Sequence, residues 1–279
     1  MPELPETETI ARDLDVALRG AVIADVEVPR PSVLRGVTAD ALALQTRGAR
    51  VERVWRRAKL IVLDLSTGDR LAVQPRFTGT VLLEGFGEPF PEAERRFVRV
   101  TFRLGDGRAF HYRDIRALGT LALLDRNAFD AYVARLGPEP LDPTFTPDTL
   151  RAALGRSAQP VKRVLMDQQR LAGVGNIYAN EALWAARIHP ARPATSLTDG
   201  EVRALRDAVV DALDESVHHG GTTFENFVSP RGRKGAYVLH LKTYGRGGRP
   251  CFRCGDALGE THAIDGRATV FCARCQPAA

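Results

Sequence analysis

The chain has 279 residues, 44% hydrophobic and 26% charged, with a net charge of +5, which is enough to bury a sizeable core and exceeds one average domain. These proportions exclude a disordered, collagen-like or coiled-coil chain, and no run of about 18 uninterrupted apolar residues marks a membrane span. The start carries Glu3, Glu6 and Glu8 with no basic or apolar leader, so a cytoplasmic protein without disulfides is expected.

After Pro2-Glu-Leu-Pro-Glu6, the apolar Ile10, Leu14, Ala17 and Leu18 fall at helical spacing and Gly20 stops the pattern, which predicts an N-terminal helix. From about 21 to 124 the pattern changes to short β-branched runs at 21–28, 51–55, 60–65, 71–73, 80–83, 98–104 and 120–124, parted by turns such as Ser66-Thr-Gly-Asp69 and Gly105-Asp-Gly107. This predicts a β-sandwich of antiparallel strands. The Pro-rich stretch from Gly137 to Pro143 reads as a linker, because proline holds itself and its predecessor extended. Beyond it, helices are predicted at about 147–154, 160–168, 176–187, 198–219 and 223–228, the fourth opening on a Thr198-Asp-Gly-Glu201 capping box. A Gly- and Arg-rich segment, 232–248, then leads into a cysteine-bearing hairpin.

Charge is uneven along the chain. From Arg231 onward there are nine Lys or Arg against three acids, the footprint of a polyanion partner or else of a solvated basic face. All four cysteines lie in the last 29 residues, as Cys251-x2-Cys254 and Cys272-x2-Cys275 with 17 residues between the pairs. Two such thiolate pairs suit one tetrahedral, structural Zn²⁺, and a redox or disulfide pair is the alternative. A closed four-sulfur shell would hold the hairpin and leave Arg267 displayed near its tip. The stretch from Leu165 through Gly173-Val-Gly-Asn176 to Glu181 reads as helix, tight connection and second helix. The N-terminus of that second helix is either an anion site or part of a plain helical hairpin. Finally, removal of Met1 would leave Pro2 as a secondary amine beside Glu3. Such an amine, with a reference pKa of about 8, can attack a sugar C1′, and the carboxylate can move protons.

Taken together, Pro2-Glu-Leu-Pro-Glu6, Arg56-Arg-Ala-Lys59, Leu165-Met-Asp167, Gly173-Val-Gly-Asn-Ile-Tyr178, Gly220-Gly-Thr-Thr223 and the four cysteines with Gly266-Arg-Ala-Thr269 resemble, from end to end, the bacterial formamidopyrimidine-DNA glycosylase family, which includes endonuclease VIII. The resemblance implies an α+β multidomain fold: an N-terminal helix plus β-sandwich (1–136), a linker (137–144), a helical helix–two-turns–helix domain (145–228), a lesion-recognition loop and connector (229–245) and a zinc finger (246–279). It implies excision of an oxidised base from double-stranded DNA followed by β,δ-elimination at the abasic site, by a monomer associated with the nucleoid and with no redox or nucleotide cofactor.

Carried over residue by residue, the resemblance makes Pro2 the nucleophile and Glu3 the proton donor and acceptor. Glu6 orders the N-terminal turn. Lys59 contacts phosphate and assists β-elimination, and Arg267 serves δ-elimination. Lys162 and Asn176 grip the DNA backbone, and the Ser229–Tyr237 loop, with Arg233, Lys234 and Tyr237, closes over an everted base. The wedge that fills the vacated stack departs from the family pattern. Phe77 stands in Gln74-Pro-Arg-Phe-Thr-Gly79 where the family has methionine, and Leu118 stands where it has phenylalanine, with Arg116 kept. The Pro-Glu-Leu-Pro-Glu start and the uninterrupted 223–244 segment favour oxidised purines. An endonuclease VIII-like preference for oxidised pyrimidines and a non-catalytic lesion-binding protein are the alternatives.

Overall fold

The computed structural model describes residues 2–87, 90–225 and 227–278. They form two compact units, Met1–Ala134 with His219–Val238, and Arg135–His218 with Leu239–Ala279. The boundaries expected from the sequence run contiguously; the compact units do not, because the chain returns to the first unit after its longest helix.

In the first unit, helix α1 (Leu4–Leu18) starts on a reciprocal capping box between Glu3 and Glu6, with Pro5 in the first turn where its missing N–H is harmless. Then follow β1 (Ile23–Glu27), α2 (Ala39–Thr46), β2 (Val51–Arg57), β3 (Leu60–Leu65), β4 (Arg70–Gln74), β5 (Gly79–Glu84), α3 (Glu92–Arg95), β6 (Val98–Leu104), β7 (Ala109–Asp114), β8 (Thr120–Leu124) and α4 (Arg126–Val133). Two four-stranded antiparallel sheets result, ordered β1-β6-β7-β5 and β2-β3-β4-β8. Their inner faces share one core with α1: Ile10, Leu14 and Leu18 meet Ile61, Leu63, Val73 and Leu121 of one sheet and Val100, Phe102, Phe110 and Tyr112 of the other. The expected sandwich is borne out. β3 reads as a continuous apolar run because both of its faces are covered: Leu60 and Val62 turn away from that core and pack on Phe129 of α4.

Strand β7 was not expected from the sequence. Its period-2 signal is broken by polar residues, yet all six of its residues are buried. Burial is tolerated because each polar group is met: His111 pairs with Thr101 and Glu84, both at 2.9 Å, and Arg113 with Glu94.

The second unit comprises α5 (Pro147–Leu154), α6 (Val161–Met166), α7 (Asn176–Ala185), α8 (Asp199–His218) and the hairpin β9 (Gly259–Thr261) and β10 (Thr269–Phe271). The expected capping box is present before α8, with Thr198 N donating to Glu201 Oε2 at 2.8 Å. Helix α7 is buried from Asn176 to Trp184, so its low amphipathicity reflects surroundings on every side. The Pro-rich linker is docked on its own unit, with Gly137 N donating to Gln168 O and Ala172 N to Pro138 O. The helix predicted at 223–228 is not found among the described residues there, and Asn226 lies outside them. Thr223 Oγ1 instead donates to Phe227 O and accepts from Gly235 N, closing a loop. Among the described residues no helix is long and apolar enough to cross a membrane.

Candidate active site and metal centre

Pro2 and Glu3 are buried at the head of α1. Glu6, fully buried, orders this turn through both carboxylate oxygens: Oε2 accepts from Glu3 N (2.8 Å) and Oε1 from Thr222 N (2.7 Å). One carboxylate thus joins the N-terminal turn to the base of the segment in which the lesion loop was expected. The same crossing explains Gly220-Gly221. A Cβ on Gly235 would lie 2.2 Å from Gly221 O, and Gly221 itself sits at φ +85°, so only glycine allows the two strands to approach so closely. Within this loop Arg233 and Lys234 are exposed. Tyr237 is 3% exposed, with its N–H on Gly221 O. Its ring is thus packed inside the first unit.

Lys59 lies at the two-residue tip of the β2–β3 hairpin, half-buried. Arg56 ties that tip to α1, with Nε on Glu8 Oε2 (2.8 Å) and Nη1 on Ala58 O (3.1 Å). Burial alone would raise the Glu8 carboxyl, but the adjacent Arg56 and Arg12 outweigh it and hold the group below its usual range.

Phe77 and Leu118 are 46% and 41% exposed, large apolar side chains presented to solvent, and the Arg116 guanidinium lies 5.0 Å from the Phe77 ring centre. A residue the sequence reading missed joins their loops. Asp114, fully buried, accepts from Thr78 Oγ1 (2.5 Å) and Arg116 N (3.2 Å) on Oδ1, and from Gly119 N (2.8 Å) and Tyr112 O–H (3.3 Å) on Oδ2. The signal lay in the Asp114-Ile-Arg116 string, but its partner Thr78 is distant in sequence. A Cβ on Gly119 would fall 2.0 Å from the Tyr112 hydroxyl, which fixes glycine there. Ala58, Arg76 and Ala117 all have left-handed backbones, at φ +53°, +51° and +52°. Each immediately precedes one of Lys59, Phe77 and Leu118.

In the second unit, the side-chain amide of Gln168 braces the turn between α6 and α7, donating to Met166 O and Val174 O and accepting from Gly173 N. Asn176 Nδ2 donates to Ala268 O (3.1 Å), Asn180 Oδ1 accepts from Val270 N (2.8 Å), and Lys162 Nζ reaches Thr269 Oγ1 (2.7 Å) and Asp265 Oδ1 (3.4 Å). Lys162 is fully buried. Its ammonium holds the β9–β10 hairpin on both sides of Arg267. Arg267 itself is exposed, its N–H held by Asp265 Oδ1 at 3.0 Å. It lines a cavity of about 560 Å³ with Arg163, Asp167 and Asp265.

The four cysteine sulfurs lie within 4.8 Å of one another, and Cys254 and Cys272 are 3.4 Å apart with both thiols free. No disulfide spans that distance, whereas the S···S edge of a tetrahedral zinc thiolate is about 3.8 Å. Backbone and indole N–H groups from Arg253, Cys275 and Trp184 point at the sulfurs. Burial opposes ionisation of Cys251, but the N–H groups of Arg253 and Trp184 bring it down to about 6. Burial, followed by the neighbouring thiols of Cys254 and Cys272, pushes Cys275 up to about 12. Four thiolates this close need a cation among them, so the donor set fits a metal ion. Arg253 stacks 3.9 Å from the Trp184 ring centre and caps the end of α7, which anchors the cluster.

A sandwich whose first helix opens on a buried Pro-Glu pair, with a helical unit that clamps a four-thiol hairpin, is built from two kinds of domain seen in known families. A model of the formamidopyrimidine-DNA glycosylase N-terminal domain matches residues 1–121, and one of the formamidopyrimidine-DNA glycosylase H2TH domain matches 136–228. The curated formamidopyrimidine-DNA glycosylase of Heliobacterium modesticaldum is 41% identical over 279 residues, 99% of this chain and 100% of that one. That of Herpetosiphon aurantiacus is 39% identical over 277 residues, with 99% and 100% covered. Among solved structures, a Lactococcus lactis Fpg mutant in complex with DNA containing Fapy-dG is similar at TM-score 0.90 and 29% identity, covering 99% of this chain and 100% of that one. The MutM (Fpg) protein of Thermus thermophilus matches at TM-score 0.87 and 36% identity over the whole of both chains. The chain belongs to the formamidopyrimidine-DNA glycosylase family.

Proposed function

We propose that this protein is a bifunctional DNA glycosylase and abasic-site lyase of base excision repair, acting on 8-oxoguanine and formamidopyrimidines in double-stranded DNA. The observation that carries the reading is the N-terminal turn, where Glu6 locks the backbone of Glu3 beside Pro2. With Met1 removed, the Pro2 amine attacks C1′ of the damaged nucleotide, the C1′–N bond breaks as the base leaves with the amine proton, and the C1′–O4′ bond then opens as O4′ takes a proton from Glu3, leaving a cationic Schiff base on the ring-opened sugar. The cationic Schiff base acidifies the C2′ hydrogen. Glu3 takes that proton as the C3′–O bond breaks, and loss of the C4′ proton in a second elimination breaks the C5′–O bond. Lys59 and Arg267 neutralise phosphate charge as the two phosphates depart. Asn176 grips the backbone, Phe77, Arg116 and Leu118 fill the vacated stack, and the 229–245 segment, with Arg233 and Lys234, closes over the everted base.

One Zn²⁺ held by Cys251, Cys254, Cys272 and Cys275 is structural, since a closed four-sulfur shell leaves no position for substrate. A cytoplasmic, monomeric protein fits this role. Support for the substrate class comes from the relatives: solved structures similar to this chain hold DNA with Fapy-dG or an abasic site. The altered wedge at Phe77 and Leu118 favours a second reading, an endonuclease VIII-like preference for oxidised pyrimidines.

The test is borohydride trapping on duplexes carrying 8-oxoguanine opposite cytosine, with the adduct located by mass spectrometry. An adduct on Pro2 is expected. An adduct formed only with an oxidised pyrimidine or an abasic site would shift the specificity to the second reading. No adduct on any duplex, with Met1 retained, would leave a non-catalytic lesion-binding protein.

A further inference from the structure

On the outer face of the β2-β3-β4-β8 sheet, the first unit holds a cavity of about 440 Å³. Its floor is low because Ala72 and Ala122 are paired directly across β4 and β8. Leu60, Leu124 and the Tyr132 ring of α4 wall it in, and Gln74, Thr120, Arg35 and Arg76 bring polar groups to its rim.

The charged groups that line this cavity are both cations. Many arginines of the unit pair with acids, as Arg56 does with Glu8 and Arg95 with Glu84. Arg35 and Arg76 have no ion pair among the described residues, and no acid lines the cavity. Arg35 is oriented by two carbonyls, Ser32 O and Leu34 O, at 2.8 and 2.7 Å. Its backbone N–H is fastened to Leu121 O of the edge strand β8. Arg76 is held in a left-handed conformation that a side-chain-bearing residue adopts only when its surroundings impose it. Burial raises the Tyr132 phenol and Arg76 acts against that shift, which places the guanidinium within electrostatic reach of the ring.

Two cations without a paired acid, an aliphatic floor, an aromatic wall and one amide call for a ligand that is anionic at one end and planar at the other. The volume falls in the range of small-molecule sites, about 300–1,000 Å³. We propose that this cavity is a nucleotide subsite, in which a base lies on the Ala72/Ala122 floor against Tyr132 with its edge toward Gln74, and its phosphate is met by Arg35 and Arg76. Guanidinium groups suit phosphate, and base–aromatic stacking is tolerant of sequence. The occupant is one nucleotide of a DNA strand. That source rests on the glycosylase reading, while the ligand chemistry does not.

The test is a titration of the ¹⁵N-labelled full chain with three probes: inorganic phosphate, thymidine 5′-monophosphate and a five-residue oligothymidylate. Amide shifts at Ala72, Thr120 and Ala122 are expected with the oligonucleotide at lower concentration than with the monophosphate. The Arg35→Gln/Arg76→Asn variant should weaken that binding at least tenfold with an unchanged melting temperature, because Asn tolerates the left-handed backbone. Equal affinity for monophosphate and oligonucleotide would keep the nucleotide and overturn the strand as its source. Inorganic phosphate shifting the same amides equally well, or no shift with any probe, would overturn the subsite. These shifts are read without turnover, so failure of borohydride trapping would leave them standing.

Discussion

Changing Glu6 to Gln keeps size and shape but removes one of two acceptors. In the native turn the carboxylate takes the N–H of Glu3 on one oxygen and that of Thr222 on the other, at 2.8 and 2.7 Å, with no exposure to water. Hydrogen bonds to a charged group contribute about 1.5–3 kcal/mol each, and the amide keeps one while setting an NH₂ against the other N–H. Relief from burying a charge offsets part of the loss, leaving a net cost of about 2 kcal/mol. For a unit of this size that lowers the melting temperature by roughly 4–8 °C. Whichever N–H is abandoned, either the first turn of α1 or the base of the 222–235 loop loosens, so borohydride trapping should slow as well. The assays are scanning calorimetry and trapping on the same preparation. A melting temperature within about 1 °C of the parent, with unchanged trapping, would show that neither contact matters and would refute the bridging role.

Cys254→Ser should release the metal and lower DNA affinity, checked by zinc content and a binding titration; full retention of zinc would remove Cys254 from the ligand set. Phe77→Ala should slow excision of an intact lesion far more than cleavage of a preformed abasic site, and equal losses on both would make Phe77 structural. Asp114→Asn should reproduce that asymmetry, because the amide cannot accept from all four donors that join the loops bearing Phe77 and Leu118. Glu201 is held at about 2 by Arg192, against burial and with help from Thr198. Because its folded value lies below the unfolded one, its contribution to stability is complete above the usual carboxylate range and is lost as the pH falls from about 4.5 toward 2. Glu201→Gln should flatten the acid limb of the unfolding profile in that window, and an unaltered limb would count against the pairing.

The parts of the fold legible in the sequence are those whose determinants are local. The spacing of the thiols, the Thr198–Glu201 box and the alternating strands each satisfy their own neighbours, so pattern and structure agree. β7 was missed because its polar residues are met from other strands, and a single sequence does not display such partners. The helix expected at 223–228 fails for the same reason, with Thr223 bonded to Phe227 and Gly235 where a helical ladder would otherwise run. Lys162 is one of only four lysines in the chain, but rarity carries no direction: its partners Asp265 and Thr269 lie far along the chain and turn it inward. Asp114 is equally hidden, because it stands beside Arg116 in the sequence while its work is done on Thr78 and Gly119.

The left-handed residues at Ala58, Arg76 and Ala117 separate two properties that are usually inherited together. The direction in which Lys59, Phe77 and Leu118 leave the surface is written in the backbone one position earlier, while the chemistry they deliver is written in the side chain itself. A side chain at position 77 or 118 can therefore be exchanged and keep its aim. Variation in what these loops touch is thereby uncoupled from variation in where they point, and specificity can drift at such a position while the catalytic geometry stays in place.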